Sequence, residues 1–233
     1  IDHHPLDRDD PPKLKDVRIC GSTCAIVWDY LRSFEVSLEN YPDVATSLVI
    51  GIKTDTLDFT RSTTVELDME AFRSLLPFVD KVALARVTQF PLPKIIFETE
   101  AKAFRNKEIR NTTLISFIGE ITAHNRDIIP TIADRFARMD GISTSIIMGI
   151  IDNAMVVCIR SDDSRVDVPD LCTNVFGKTN GGGKEGVGAA KMPLGIAYEL
   201  IQNKEAKELM IKEIVVGLKT KIFEALGEHE EVE

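Results

Sequence analysis

Ile1-Asp2-His3-His4 opens the chain. An apolar residue running into Asp-His-His concentrates metal-ligating and acid–base groups in three positions. A strand ending there would carry a carboxylate and two imidazoles to the C-terminal edge of an open α/β sheet, where such sheets bind ligands. Adjacent residues of a regular strand face opposite ways, so the three cannot all ligate one ion unless the backbone turns at the strand's end. After such a turn one imidazole can bind metal, the other can face substrate, and Asp2 can hold a ring nitrogen from behind. In isolation the triplet reads as a polar loop with two solvated histidines, and the rest of the chain decides between the two. Flanking strands do not precede it, so the chain is expected to be part of a larger protein.

The 233 residues suffice for one large domain or two small ones. A hydrophobic fraction of 44% and a charged fraction of 28% are ordinary for a soluble globular chain. Lys plus Arg number 28 against 37 Asp plus Glu, a net charge of -9. That balance argues against a duplex-DNA binder, which carries a basic footprint. It is compatible with a small anionic ligand in a locally basic pocket. Cys20, Cys24, Cys158 and Cys172 form no CxxC pair and fit no zinc-ribbon spacing. Buried free thiols in a reducing cytoplasm are the expectation. The longest strongly apolar stretch, Ile146 to Ile151, is too short to span a bilayer. No charged segment followed by an apolar one marks a leader at the start. A soluble cytoplasmic protein with no membrane contact in this chain is expected.

Pro5 to Lys15 is polar and proline-rich and reads as a loop. Gly21-Ser22-Thr23 starts a helix, with Ser22 or Thr23 able to cap its free N–H groups. Pro42-Asp43 begins a second helix that ends in Thr54-Asp55-Thr56, and a third is expected over Thr64–Leu76. Pro91 and Pro93 interrupt the pattern, which places a boundary between about Asp80 and Pro93. Beyond it, Leu114–Ile118, Ile142–Ile151 and Met155–Arg160 read as strands. Pro130–Met139 reads as a helix between the first two, and Asp152-Asn153 as a hairpin turn. A helix is expected around Pro169–Phe176, then the run Gly181-Gly182-Gly183 with Gly186 and Gly188. The charged tail from Ile196 to Leu226 reads as helical.

Two segments join Asp2-His3-His4 as carriers of chemistry. In Gly51-Ile52-Lys53-Thr54-Asp55-Thr56-Leu57-Asp58-Phe59, a carboxylate stands between two small hydroxyl residues that could fix its rotamer. Asp55 would give a hard oxygen ligand suited to Mn²⁺ or Mg²⁺. Alone, the segment also reads as a polar turn at a helix end. In Gly181-Gly182-Gly183-Lys184-Glu185-Gly186-Val187-Gly188-Ala189-Ala190, glycines let backbone N–H groups approach phosphate oxygens, and Lys184 adds a point charge. Without Gly-Lys-Ser/Thr it is no Walker A loop. Alone, it also reads as a glycine-rich loop. Arg160-Ser161, at the end of an expected strand, offers a guanidinium for a further phosphate contact.

Taken in order, these segments resemble the DHH phosphoesterases with their associated C-terminal domain. Asp2-His3-His4 is similar to the triplet that names the family, and Gly21-Ser22-Thr23 to the small hydroxyl-bearing turn that follows. Gly51 to Phe59 resembles the later G-x-x-x-D-T-x-x-F motif. Arg160-Ser161 and Gly181-Gly182-Gly183 leading to Ala189-Ala190 resemble the signature of the associated domain. The resemblance implies an α/β fold: residues 1–85 as the C-terminal part of a DHH domain, a parallel sheet with helices, and residues 86–233 as a smaller α/β substrate-binding domain. It implies phosphoester hydrolysis with two divalent ions, Mn²⁺ or Mg²⁺. Substrates would be short: single-stranded oligonucleotides, as for an exonuclease, pAp, or linear or cyclic dinucleotides. His3 and Asp55 would be metal ligands. His4 would touch the scissile phosphate or leaving group, and Asp2 would orient the site. Arg160, Ser161, Gly181, Gly182, Gly183 and Lys184 would hold the distal end of the nucleotide across an interdomain cleft. A homodimer is a further expectation.

Two departures qualify the resemblance. The family's earlier metal motifs would lie before Ile1, so the chain alone is expected to be nearly inactive. Lys184 stands where the family carries His, which keeps a positive charge but gives up a neutral acceptor. The alternative is a nucleotide-sensing or scaffold module that kept the fold and lost catalysis.

Overall fold

The computed structural model describes residues 1–3 and 15–228. It divides the chain into two compact units, Ile1–Pro91 and Leu92–Glu233. Among the described residues no helix is long and apolar enough to cross a membrane.

The first unit is built on helices α1 (Thr23–Ser33), α2 (Pro42–Thr56), α3 (Glu66–Leu75) and α4 (Lys81–Thr88). Each of α1, α2 and α4 starts where local chemistry requires. Ser22 Oγ accepts the Cys24 N–H at 3.2 Å, and Asp80 Oδ1 accepts Val82 N–H at 2.9 Å and Ala83 N–H at 3.0 Å. Pro42 occupies the first turn of α2, where its missing donor costs nothing. α2 ends as Leu57 takes a left-handed conformation at φ 49°. Ala25 and Trp28 of α1, Val49 and Ile52 of α2, and Ala71 and Leu75 of α3 form one buried cluster. Gly51 makes the α1–α2 contact possible, because a Cβ there would stand 2.3 Å from Cys24 Sγ. The extended segment at the start is short: Asp2 forms a single parallel bridge with Val17.

The second unit is a six-stranded mixed sheet. In chain order it contains α5 (Lys94–Arg105), β1 (Glu108–Arg110), β2 (Thr113–Glu120), α6 (Ile128–Phe136), β3 (Thr144–Ile151) and β4 (Ala154–Ser161). It continues through α7 (Val168–Phe176), β5 (Gly181–Lys184), β6 (Val187–Pro193), α8 (Gly195–Leu200) and α9 (Lys204–Ala225). The strand order is β1-β2-β3-β4-β6-β5. Only β2 and β3 run parallel, joined through α6; the other neighbours are antiparallel. All of β3 is buried, as a central strand covered on both faces should be. Ile146, Met148, Val157 and Ile159 pack with α7 and α9 on one face, while Ile147, Ile151 and Cys158 pack with α6 on the other.

Several elements differ from the sequence reading, among them α4, which lies where only a boundary is expected. The glycine run is not a loop but edge strand β5, hairpinned to β6. α5 follows directly on Pro93, which stands at its N-cap position without a side-chain cap, where the two prolines suggest only a break. The helical tail is interrupted at Ile201-Gln202-Asn203, and Asn203 Oδ1 caps α9 through Ala206 N–H at 3.0 Å.

Asp152 and Asn153 connect β3 to β4 with φ of 46° and 59°, the signature of a type I′ turn. A β-branched residue resists that conformation. Asn153→Val should therefore lower the stability of the second unit by about 1–2 kcal/mol, and Asn153→Gly should leave it unchanged or raise it. Urea unfolding followed by circular dichroism measures both.

Candidate functional site

In the first unit the candidate groups gather at the N-terminus of α1. Asp2 N–H donates to Asp16 O at 3.0 Å and Arg18 N–H donates to Asp2 O at 3.2 Å, which fixes the backbone leading into His3. His3 Nδ1 lies 2.8 Å from Thr23 Oγ1. Ser22 Oγ–H donates to Asp55 Oδ2 at 2.8 Å. Two side chains far apart in sequence are thus tied to consecutive residues, Ser22 and Thr23. An imidazole oriented through one ring nitrogen and a carboxylate oriented through one oxygen are the usual preparation of metal ligands. By donor type the carboxylate suits a hard divalent ion such as Mn²⁺ or Mg²⁺, and the imidazole a borderline transition-metal ion. Among the described residues no group of three or more His, Cys, Asp or Glu side chains could hold a metal ion. His4 lies outside the described residues.

The rotamer of Asp55 is not set by its neighbours in sequence. Thr54 Oγ1 donates to Ile50 O at 2.8 Å and Thr56 Oγ1 to Ile52 O at 2.6 Å, so both hydroxyls turn back on their own helix. Ser22 takes that role instead.

Behind Ser22 stands a residue the sequence reading passed over. Asp68 is 0% exposed. Its carboxylate accepts the backbone N–H groups of Gly21 at 2.8 Å, Ser22 at 3.0 Å and Val65 at 2.9 Å. The bond to Val65 is the half of a capping box that a carboxylate at the third position of α3 supplies. The other two hold the turn that positions Ser22 and Thr23. Gly21 is required there, because a Cβ would stand 2.6 Å from Thr56 Cγ2 and 2.9 Å from Asp68 Oδ2. The one sequence signal was an acidic residue in a helix's first turn, which ordinary capping also explains.

The segment that pairs with Asp2 is pinned from outside. Asp16 accepts from Arg18 Nε at 3.0 Å, Arg18 Nη2 at 2.8 Å and Tyr30 Oη at 2.5 Å. The Arg18 guanidinium first, and the Tyr30 hydroxyl next, hold the Asp16 carboxyl below the usual carboxylate range.

In the second unit, cross-strand register builds a cationic face. Arg160 of β4 pairs with Val187 of β6, and Val187 with Lys184 of β5. Directly paired residues project to the same face, so Arg160 and Lys184 share one side, two strands or roughly 10 Å apart. Lys191, paired with Val156, lies on that face too. Gly182, Lys184, Ala189 and Lys191 are exposed there. Among the described residues neither Lys184 nor Lys191 forms an ion pair.

The glycines of β5 and β6 have different reasons. A Cβ at Gly181 would stand 2.8 Å from Cys172 O, at Gly183 2.4 Å from Val187 O, and at Gly188 2.6 Å from Cys172 Sγ. Packing therefore demands those three. At Gly182 a Cβ would meet nothing within 4 Å. Gly182 opposes Ala189, on the face of Arg160 and Lys184, and leaves bare backbone between the cations. Gly181 N–H is engaged with Gly177 O at 3.0 Å. Ser161 belongs elsewhere: its Oγ lies 2.8 Å from Thr144 Oγ1 and accepts Asp163 N–H at 3.3 Å. By strand alternation it faces away from Arg160.

No family model matches the chain. An uncharacterized protein of Methanocaldococcus jannaschii is 34% identical over 233 residues, 99% of this chain and 46% of that protein. The chain thus spans less than half the length of the curated relative it matches. Among solved structures, an exopolyphosphatase-related protein of Bacteroides fragilis superposes with a TM-score of 0.62 at 14% identity, over 94% of this chain and 63% of that one. A pGpG-specific phosphodiesterase of Vibrio cholerae overlaps more loosely, with a TM-score of 0.38 at 13% identity over 84% of this chain and 72% of that one. The chain shares the mixed α/β fold of that exopolyphosphatase-related protein.

Replacing Asp68 by Asn would oppose an amide NH₂ to a backbone N–H. At least one buried donor then loses its acceptor, at about 1–3 kcal/mol. Asp68→Asn should lower the thermal midpoint of the first unit measurably. Acidification is the second test. The lowered Asp16 value means that its tie is present above the ordinary carboxylate range, about pH 4, and is lost as pH falls through the lowered value. Asp16→Asn should leave a protein whose stability changes less between neutral and acid pH than that of wild type, measured by urea unfolding across that range.

Proposed function

We propose that the protein containing this chain is a metal-dependent phosphoesterase acting on short nucleotides. The observation that carries this reading is the attachment of His3 and Asp55 to the consecutive residues Ser22 and Thr23. Fixing an imidazole and a carboxylate that way serves no evident packing need. His3 and Asp55 would be ligands in a site for two divalent ions, Mn²⁺ or Mg²⁺. Such ions activate water and stabilise charge in phosphoryl displacement. His4 would contact the scissile phosphate or leaving group, and the backbone of Asp2 keeps the segment in place.

The cationic face made by Arg160, Gly182, Lys184 and Lys191 in the second unit supports binding of a nucleotide's phosphate. Lys184 supplies charge without needing two-pronged geometry. A net charge of -9 disfavours long duplexes, so pAp, dinucleotides and short single strands are the substrates proposed. A binding module without turnover is the second reading, favoured by Lys184 where the resembled family carries His.

Hydrolysis of pAp, pApA and a cyclic dinucleotide by the full-length protein, with Mn²⁺ and with chelator, separates the readings. We expect turnover of at least one substrate, abolished by chelation. Asp55→Ala should lower kcat by about 10³-fold with the fold intact. Lys184→Ala should raise KM far more than it lowers kcat, as loss of uniform binding does. Turnover indifferent to chelation refutes the metal role, and tight binding without turnover selects the second reading.

A further inference from the structure

Arg160 is held by more than its strand. Nε–H donates to Asp134 Oδ1 at 2.5 Å, and Nη1 donates to Ile159 O at 3.0 Å and Cys158 Sγ at 2.9 Å. Asp134 belongs to α6, the helix packed across β3 and β4 on this face of the sheet. The Arg160 side chain is 20% exposed and that of Asp134 52%. Nε and Nη1 are therefore engaged. Among the described residues Nη2 donates to nothing. Ser145, the cross-strand partner of Arg160, is fully buried and its Oγ has no partner among the described residues, so β3 gives the guanidinium no hydrogen bond.

An arginine loses rotamer freedom whenever an anion immobilises it. A contact that fixes the guanidinium beforehand removes that loss from binding. Asp134 makes such a contact at one end of the group only, so it orients Arg160 without closing it off. We propose that Asp134 is the positioning residue for Arg160, fixing the guanidinium so that Nη2 is the donor offered to a phosphate oxygen. This rests on the reading of the Arg160–Lys184 face as the phosphate-binding surface. It also sets a preference. With Nε and Nη1 occupied, Arg160 cannot grip a planar carboxylate with two prongs. It offers a single nitrogen beside the point charge of Lys184, which suits a tetrahedral phosphate.

Calorimetric titration of pApA into the full-length protein, in chelator to prevent turnover, tests the role. Asp134 is half exposed and alanine is the best helix former, so Asp134→Ala should fold. We expect Asp134→Ala to weaken binding about fivefold. Asp134→Asn keeps an amide oxygen for Nε–H and removes a charge that repels phosphate, so it should bind as tightly as wild type or tighter. The Arg160→Ala, Asp134→Ala double variant should bind like Arg160→Ala alone, because Asp134 acts through Arg160. Wild-type affinity in Asp134→Ala, or Asp134→Asn as weak as Asp134→Ala, overturns the positioning role. Wild-type affinity in Arg160→Ala instead sinks the reading of the face itself.

Discussion

Asp68 accepts the backbone N–H groups of Gly21, Ser22 and Val65 inside the first unit, and each candidate metal donor there hangs from what it holds. Taking a carboxylate out of water costs several kcal/mol. Three charge-assisted bonds, each worth about 1.5–3 kcal/mol, and the positive end of α3 offset that cost. The balance works only if all three donors stay in place, so the turn before α1 is rigid. Ser22 and Thr23 inherit that rigidity and pass it to Asp55 and His3. Three helices meet at this carboxylate: α3 carries it, α1 starts from it, and Thr56 of α2 closes against Gly21.

A different device organises the second unit. There the candidate side chains sit on a sheet, and pairing register decides which of them share a face. Arg160, Val187 and Lys184 fall in one cross-strand row, and a shift by one residue would send every one to the opposite face. The tight glycines guard that register. Gly183 lies against Val187 and Gly188 against Cys172 and Val168, so side chains there would push β5 and β6 out of place. Gly182 has no such neighbour, which separates glycines needed for packing from one that stands in open space.

The sequence made much of this legible. Capping chemistry at Ser22, proline at Pro42 and the Asp152-Asn153 turn mark boundaries through local rules, and the structure follows them. The run from Ile142 to Ile151 is apolar enough to be read as a strand without any partner in view, and the structure places β3 over Thr144–Ile151 of it. The glycine run was misread because glycine carries no periodicity. Its strand character comes from the pairing partner Val187–Pro193, which a local reading cannot supply. Asp68 and Asp134 were missed for a related reason. Each is an ordinary acidic residue on a helix, and only tertiary contact, with a turn some 47 positions away or an arginine 26 positions away, distinguishes it. Ser161, next to Arg160 in sequence, looked like a partner, yet strand alternation separates the two.

The cationic face is set into an acidic chain, and its charge survives because little neutralises it. Cys158 lies directly under Arg160. A thiolate there would pair with the guanidinium and remove it from service. Burial pushes the Cys158 thiol up, more than the Arg160 charge draws it down, so the sulfur stays protonated and accepts a hydrogen bond without cancelling charge. Asp134 does carry charge, but it is half exposed and water screens much of its attraction. What Asp134 mainly supplies is direction. Lys184 and Lys191 have no such support. They contribute mobile charge that follows the ligand, at the cost of their own side-chain entropy on binding. The face thus combines one oriented donor with two adaptable ones. That combination would suit the short nucleotide proposed as substrate, an anion of fixed geometry at one end and variable structure at the other.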